Sequence, residues 1–371
     1  EPEGLTELEA ARTPNLDALA KRSITGLHQP VRAGITPGSG PAHLSLFGYD
    51  AVDYQVGRGV LSAAGIDFDL RPEDVACRGN FCTLDSDGRV TDRRAGRIST
   101  EKNRELVEKL RSIEIEGADV FVETIKEHRF LLVFRGEGLH AKVADTDPQS
   151  TGLEPLDAMA SAADSERTAE LANAFSAKAR ELLRDESPAN MVLLRGFAEL
   201  PGWPSFEEVY GTRSASIAAY PMYRGLAKLL GMTALDASED PSDKFARLRR
   251  ERDKYDFFFV HVKKPDATGE DGDFDAKLAA IEKADKAIPE LLDAEPDVVV
   301  VTGDHSTPWK LKSHGWQPVP VLLYSEYCRP DEVDRFGERA CLRGGLGPRI
   351  PATDLMPLAM ANGLRLEKFG A

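Results

Sequence analysis

Three apolar runs frame the chain: Phe257-Phe258-Phe259-Val260, Val298-Val299-Val300-Val301 and Val319-Pro320-Val321-Leu322-Leu323. None alternates polar with apolar, so each predicts a fully buried strand of a parallel sheet with helices on both faces. Between the first two, Leu278, Ile281, Ile288 and Leu291 recur at helical spacing. That predicts a strand–helix–strand unit with a right-handed crossover. Near the start, Thr13-Pro14 reads as an N-cap followed by a first-turn proline, with Leu16, Leu19 and Ala20 as the apolar face. Thr353-Asp354 opens a last helix and Asn362-Gly363 closes it.

From residue 56 to 187 the pattern changes. Charges are dense, strand candidates are short (130–134 is the best), and 168–183 has helical periodicity. This predicts an α/β core from residues 1–55 and 188–371, with a mostly parallel sheet sandwiched by helices. A smaller α+β cap domain is inserted at 56–187. For 371 residues two domains are the natural prior, and there is neither an internal repeat nor a low-complexity tract.

Composition narrows the function classes. No run reaches the roughly 18 apolar residues of a membrane helix. Glu1-Pro2-Glu3-Gly4 carries neither the basic start nor the apolar run of a secretory leader. A cytoplasmic protein without a membrane partner is expected. The net charge of −15 argues against a nucleic-acid partner and makes any local gathering of basic residues informative. Cys77, Cys82, Cys328 and Cys341 lack Cys-x-x-Cys spacing, so reduced thiols are expected, with a disulfide within the first or last pair as the alternative.

Four polar segments carry candidate chemistry. In Val301-Thr302-Gly303-Asp304-His305-Ser306-Thr307, Asp304 and His305 follow a strand directly, at the end where open α/β sheets bind ligands. Carboxylate and imidazole suit a divalent metal, while a capped turn is the bland alternative. The segment His261–Asp273 holds Pro265, Gly269 and Gly272 and reads as a loop in which Asp266 and Glu270 converge. Gathered carboxylates repel unless a cation offsets them, although a solvated acidic turn has the same composition. His314, in Lys312-Ser313-His314-Gly315-Trp316, lies between two core strands, as a ligand or as a surface histidine. In Pro37-Gly38-Ser39-Gly40-Pro41 the glycines leave space for a phosphate at the Ser39 hydroxyl and free backbone N–H groups to hold it. A serine becomes a nucleophile only with a base or metal. No Gly-x-Ser-x-Gly elbow is present, which disfavours an α/β-hydrolase triad. Otherwise Ser39 is a turn residue.

These segments, with Ala11-Arg12-Thr13-Pro14-Asn15-Leu16-Asp17, Leu46-Phe47-Gly48-Tyr49-Asp50, Asp145-Thr146-Asp147-Pro148 and Ala219-Tyr220-Pro221-Met222-Tyr223-Arg224-Gly225, run in order along nearly the whole chain. The chain resembles the archaeal-type, cofactor-independent (2,3-bisphosphoglycerate-independent) phosphoglycerate mutases of the alkaline-phosphatase superfamily. The resemblance implies an alkaline-phosphatase-like core and interconversion of 2- and 3-phosphoglycerate through a phosphoserine at Ser39. It implies two divalent ions, Mn²⁺ or Mg²⁺ ahead of Zn²⁺ or Co²⁺. One would be held by Asp266, Glu270 and His314, the other by Asp304, His305 and Ser39. Lys263 would steady the transferring phosphoryl group. The family places a further Asp ligand on a hydrophobic first strand ending in Asp-Gly, and this sequence starts after that point. More distant bacterial mutases carry a histidine where Glu270 stands, and the carboxylate favours the harder ions.

Arginines are the expected handles for a phosphoglycerate, because bidentate guanidinium matches carboxylate and phosphate. Candidates are Arg78, Arg93, Arg94, Arg97, Arg129 and Arg135 in the insert, and Arg195, Arg213 and Arg224 in the returning core. His128 and Asp92 are weaker candidates for proton transfer. Two rival readings remain: a phosphomonoester hydrolase on the same core, and a catalytically silent module that binds phosphorylated metabolites. A homo-oligomer is compatible with each.

Overall fold

The computed structural model describes residues 4–370. Glu1-Pro2-Glu3, part of the leader argument, lies outside the described residues. The strands in chain order are β1 (Ile24–Gln29), β2 (Asp74–Leu84), β3 (Val90–Asp92), β4 (Asp119–Lys126), β5 (Arg129–Arg135), β6 (Met191–Glu199), β7 (Ser214–Ile217), β8 (Thr233–Leu235), β9 (Phe257–Val260), β10 (Val298–Thr302), β11 (Val319–Ser325) and β12 (Gly347–Pro351). The chain divides into two compact units, Glu1–Gln55 with Trp203–Ala371, and Val56–Gly202. The return point therefore falls about 15 residues later than residue 187. The reason is β6, which pairs antiparallel with β2 and so stays with the insert.

The first unit is mixed α/β and holds two sheets. One is β8-β7-β9, with both pairings parallel. The other is β10-β11-β1-β12. In it β11 runs antiparallel to both β10 and β1, so a mostly parallel sheet is corrected for this half. The physical cause is the connection: no helix crosses over between Thr302 and Val319, and a chain that turns back directly must pair antiparallel. The predicted crossover helix forms as Phe274–Leu292 between β9 and β10. Its Ile288 packs with Leu16, Leu19, Leu27, Val299 and Leu322, and each fully buried aliphatic of this kind stabilises by about 1.5–3 kcal/mol. Pro14 sits in the first turn of the Pro14–Ala20 helix, and Gly363 caps Leu355–Asn362. Full burial of the three apolar runs does not hold throughout. Every residue of β9 is only half-buried, and in β10 only Val299 is buried.

In the second unit β2 sits between β5 and β6, with β3 and β4 completing an antiparallel sheet. Side chains alternate along β2. Val75, Cys77 and Phe81 pack with Leu106 of the Thr100–Leu110 helix and Phe175 of the Glu166–Leu183 helix. Ala76 packs instead with Ala63 of the Arg58–Gly65 helix, and with Leu131 and Val133 of β5. Among the described residues no helix is long and apolar enough to cross a membrane. The four cysteines are unpaired.

Candidate active site

The site of the first unit collects at the carboxyl ends of β9 and β10. Ser39 opens the Ser39–Leu46 helix and is almost buried. Its Oγ lies 3.1 Å from Nε2 of His305. Asp304 Oδ2 stands 3.0 Å from that same nitrogen and 3.3 Å from His43 Nδ1. Residues 264–271, expected as a loop, form a helix. Pro265 occupies its first turn, where a missing N–H costs nothing, and Gly272 caps it at φ 73°. Helical spacing puts Asp266 and Glu270 on one face, where His314 Nε2 reaches them at 3.8 and 3.6 Å. The rings of His305 and His314 stack with centroids 3.6 Å apart.

Two groups of ligand atoms converge within 4.8 Å: Asp266, His305 and His314, and His43, His261 and Asp304. His305 thus joins Asp266 and His314 while still touching Asp304 and Ser39, and Glu270 stands at the rim. His43 and His261 were missed at the sequence level because each lies in an apolar stretch. One signal was present for His43: it is four residues after Ser39, one helical turn along, and its Nδ1 bonds the Ser39 carbonyl at 2.8 Å.

The donor set fits a divalent cation. Asp304 Oδ2 is buried and accepts no well-formed hydrogen bond despite its imidazole neighbours. Buried His261 Nδ1 is likewise without a partner, and burial pushes that imidazole down to about 3, toward the neutral, ligating form. His314 Nδ1 donates to the Pro37 carbonyl at 2.8 Å, which turns its Nε2 lone pair into the cluster. Asp266 is half-buried, which opposes ionisation, yet bonds from Lys263 and Thr307 outweigh that and hold its carboxyl below the usual range. Burial likewise opposes the Lys263 ammonium, but Asp266, Tyr223 and Glu270 raise it above its ordinary value. Lys263 is therefore a fixed positive charge at the edge of the cluster.

The remaining candidates separate. Arg195 lies on β6, in the second unit rather than the returning core. It is opposite Arg78 of β2. Arg78 is pushed down to about 10 by burial and then by the charges of Arg129, Arg58 and Arg195, and its Nε has no partner. Arg195 itself pairs with Asp147 at 3.2 Å and with Asp145 at 3.5 Å, so nearby carboxylates offset part of this repulsion. His128, which precedes β5, is buried and pushed down to about 4, by burial and then by Arg129, with Arg94 and Arg97 adding to the effect. Arg93 is committed to Asp147 through two bonds of 2.8 Å. Asp92 caps the backbone of Arg94 and Gly96. In the first unit Arg224 pairs with Asp236. Arg213 precedes β7 and pairs with Asp256, at the strand ends opposite the cluster.

An α/β protein with carboxylates and imidazoles gathered around a serine at strand carboxyl ends belongs to the class suited to metal-assisted group transfer. A family model described as 2,3-bisphosphoglycerate-independent phosphoglycerate mutase matches residues 20–190. A Deinococcus radiodurans protein described as a probable mutase of that kind is 54% identical, over 99% of this chain and 92% of its own length. One from Thermus thermophilus, described alike, is 52% identical over 100% and 92%. The solved cofactor-independent phosphoglycerate mutase of Thermoplasma acidophilum superposes with a TM-score of 0.75 at 31% identity, covering 96% of this chain and 93% of that one. A Pyrococcus horikoshii structure reaches 0.83 at 31%, covering 100% and 94%. The chain belongs to the 2,3-bisphosphoglycerate-independent phosphoglycerate mutases.

Proposed function

We propose that this chain interconverts 2-phosphoglycerate and 3-phosphoglycerate with Ser39 as the transient phosphoryl acceptor. The observation that carries the reading is the convergence of Ser39, Asp266, Asp304, His305 and His314, together with family membership. On this reading the first unit is an alkaline-phosphatase-like core that performs the transfer, and the second is the substrate-binding insert.

Asp266, Glu270 and His314 would hold one divalent ion, and Asp304, His305 and Ser39 the other. Mn²⁺ or Mg²⁺ suits the carboxylates best. Such ions supply Lewis acidity, lowering the pKa of a bound hydroxyl and neutralising phosphoryl oxygens. Ser39 Oγ forms the new P–O bond as the glycerate oxygen leaves, and the other glycerate hydroxyl then takes the phosphoryl group back. Lys263 adds positive charge where the transferring oxygens lie, and phosphoryl transfer needs chiefly positioning and charge neutralisation. Arg78, Arg129 and Arg195 offer the guanidiniums for the glycerate carboxylate.

The test is conversion of 3-phosphoglycerate without bisphosphoglycerate, with and without Mn²⁺. Ion-dependent formation of 2-phosphoglycerate is expected. Release of inorganic phosphate alone would replace this reading with the hydrolase.

A further inference from the structure

Among the described residues Tyr223 is the largest side chain that the fold buries completely. The Pro221–Leu229 helix puts it there: Pro221 takes the first turn, and Tyr223, Leu226 and Ala227 recur at the spacing of one buried face. The ring lies against His261, with centroids 3.8 Å apart, and against His43 at 4.7 Å. The Lys263 ammonium stands 5.9 Å from its centroid. Phe47 and Phe259 flank the same His43 ring at 6.1 and 5.3 Å. In so aromatic a setting phenylalanine would fill the space equally well, so packing alone does not account for the hydroxyl. A buried hydroxyl is costly unless it is hydrogen-bonded, and that of Tyr223 bonds to the Ser39 side chain, in the same unit. The Ser39 hydroxyl is itself directed at His305 Nε2, 3.1 Å away, so Oγ offers the phenol a lone pair. A phenol is protonated at neutral pH and donates to it.

We propose that Tyr223 is a catalytic hydrogen-bond donor, whose Oη–H holds Ser39 Oγ while that oxygen gains and loses the phosphoryl group. The inference rests on the phosphoserine reading above. In the first step the Oγ–P bond forms as the P–O bond to glycerate breaks, and the serine proton ends on the departing glycerate oxygen. In the return step the Oγ–P bond breaks, its electron pair stays on Oγ, and the attacking glycerate hydroxyl gives the proton back. Negative charge therefore develops on Oγ in both directions. A fixed donor aimed at that atom stabilises the charge without having to reorganise. Burial against two imidazoles fixes the ring, so the donor is already in place before substrate binds. The phenol keeps its proton throughout. Lys263 serves the transferring oxygens, and Tyr223 the oxygen that bridges them to the protein.

Tyr223→Phe keeps the ring and removes only Oη. On 3-phosphoglycerate it is expected to lower kcat by about 10²–10³-fold at unchanged KM, the loss that follows removal of one donor from a developing oxyanion. Calorimetry on the Mn²⁺-loaded protein supplies a readout apart from turnover. Orthovanadate takes the trigonal-bipyramidal form of the transferring group on an oxygen nucleophile, and it should bind the variant at least about tenfold more weakly. Inorganic phosphate and Mn²⁺ itself should bind with the parent's affinity, which a displaced ring would not allow. Ser39→Ala and the double variant Ser39→Ala/Tyr223→Phe should show the same residual rate, because no Oγ remains to receive the bond. A kcat equal to the parent's, or equal losses of vanadate and phosphate affinity, overturns the proposal. A parent that forms no 2-phosphoglycerate, or a fully active Ser39→Ala, would instead sink the phosphoserine reading and this proposal with it, so the two failures are told apart.

Discussion

Ser39 Oγ lies 3.1 Å from His305 Nε2, and the far side of that ring sets which way the proton points. Thr307 Oγ1 donates to Asp266 Oδ1, so its lone pair faces His305 Nδ1, 3.1 Å away, and accepts from it. In the neutral ring Nε2 then carries the lone pair and accepts from the Ser39 hydroxyl, with Asp304 Oδ2 3.0 Å from the same nitrogen. A hydroxyl so placed is available for activation, and its removal should abolish turnover. Ser39→Ala is expected to lower kcat by on the order of 10³-fold or more, as loss of a nucleophile does. The melting temperature should change little, because Oγ makes no packing contact that Cβ does not keep. Unchanged kcat would end the phosphoserine mechanism.

The same geometry makes Thr307 a positioning residue. Thr307→Val keeps the shape but releases Asp266 and leaves His305 Nδ1 only the longer 3.3 Å contact to the Ser306 carbonyl. Partners of this kind typically account for about 10–100-fold in metal affinity. Titrating Mn²⁺ into the variant by calorimetry should show a loss in that range, with the fold intact by circular dichroism. Affinity equal to that of the parent would mean the hydroxyl does not orient the ligands.

Much of this arrangement was legible before any coordinates. The strands leading to Asp304 and His261, the crossover helix and the return of a terminal helix follow from runs and periodicity that only one local structure satisfies. What escaped did so for physical reasons. Pro265 and Gly272 were read as breakers, yet they bound the helix at 264–271 rather than interrupt it. A run such as 319–323 looks the same whichever way its neighbours run, so the antiparallel pairing of β11 was not visible. His43 and His261 sit among aromatic rings, 5.4 Å apart by centroid, where a histidine resembles a core residue until the fold brings Asp304 alongside. Arg213 was grouped by chain position, but it directly precedes β7, at the strand ends opposite the cluster.

Acid should destabilise the first unit through His28. The ring is fully buried on β1, and burial lowers it from 6.5 to about 4 despite its bond to the Gly303 carbonyl. The folded pKa is the lower one, so the unfolded chain takes up the proton first as pH falls. The stability due to the neutral ring is complete above about 6.5 and is lost toward about 4. The loss by pH 4.5 is on the order of 2–3 kcal/mol. Urea midpoints at pH 7 and 4.5 should differ less in His28→Gln than in the parent; equal differences would assign the acid sensitivity to other groups.

Arg78 should matter to binding more than to chemistry. Burial first, and then the neighbouring guanidiniums, push it down to about 10, so an anion beside it offsets both. Arg78→Met is expected to raise KM for 3-phosphoglycerate by about 10–100-fold, the worth of a charge-assisted bond. Relief of repulsion should also raise the melting temperature slightly. A fall in kcat at unchanged KM would place Arg78 in the chemical step instead.

Gly269 joins the two segments that carry the cluster. A Cβ there would stand 2.2 Å from the Thr307 carbonyl oxygen, a backbone atom with no room to yield, and 3.1 Å from Lys277 Nζ, which itself donates to that carbonyl at 2.5 Å. The φ at 269 is helical, so alanine would normally favour the helix by about 1 kcal/mol. The clash must therefore be met by moving the Lys264–Asp271 helix away from Thr307, and with it Asp266 away from His305. Displacements of about 1 Å at a reacting site can cost about 10²-fold. Gly269→Ala is expected to lose activity on that scale while far-ultraviolet circular dichroism keeps its helical content, with excess Mn²⁺ restoring part of the rate because the lesion lies in ligand spacing. A fully active Gly269→Ala protein would show that the helix and the Asp304–Thr307 loop need not be held at this distance for catalysis.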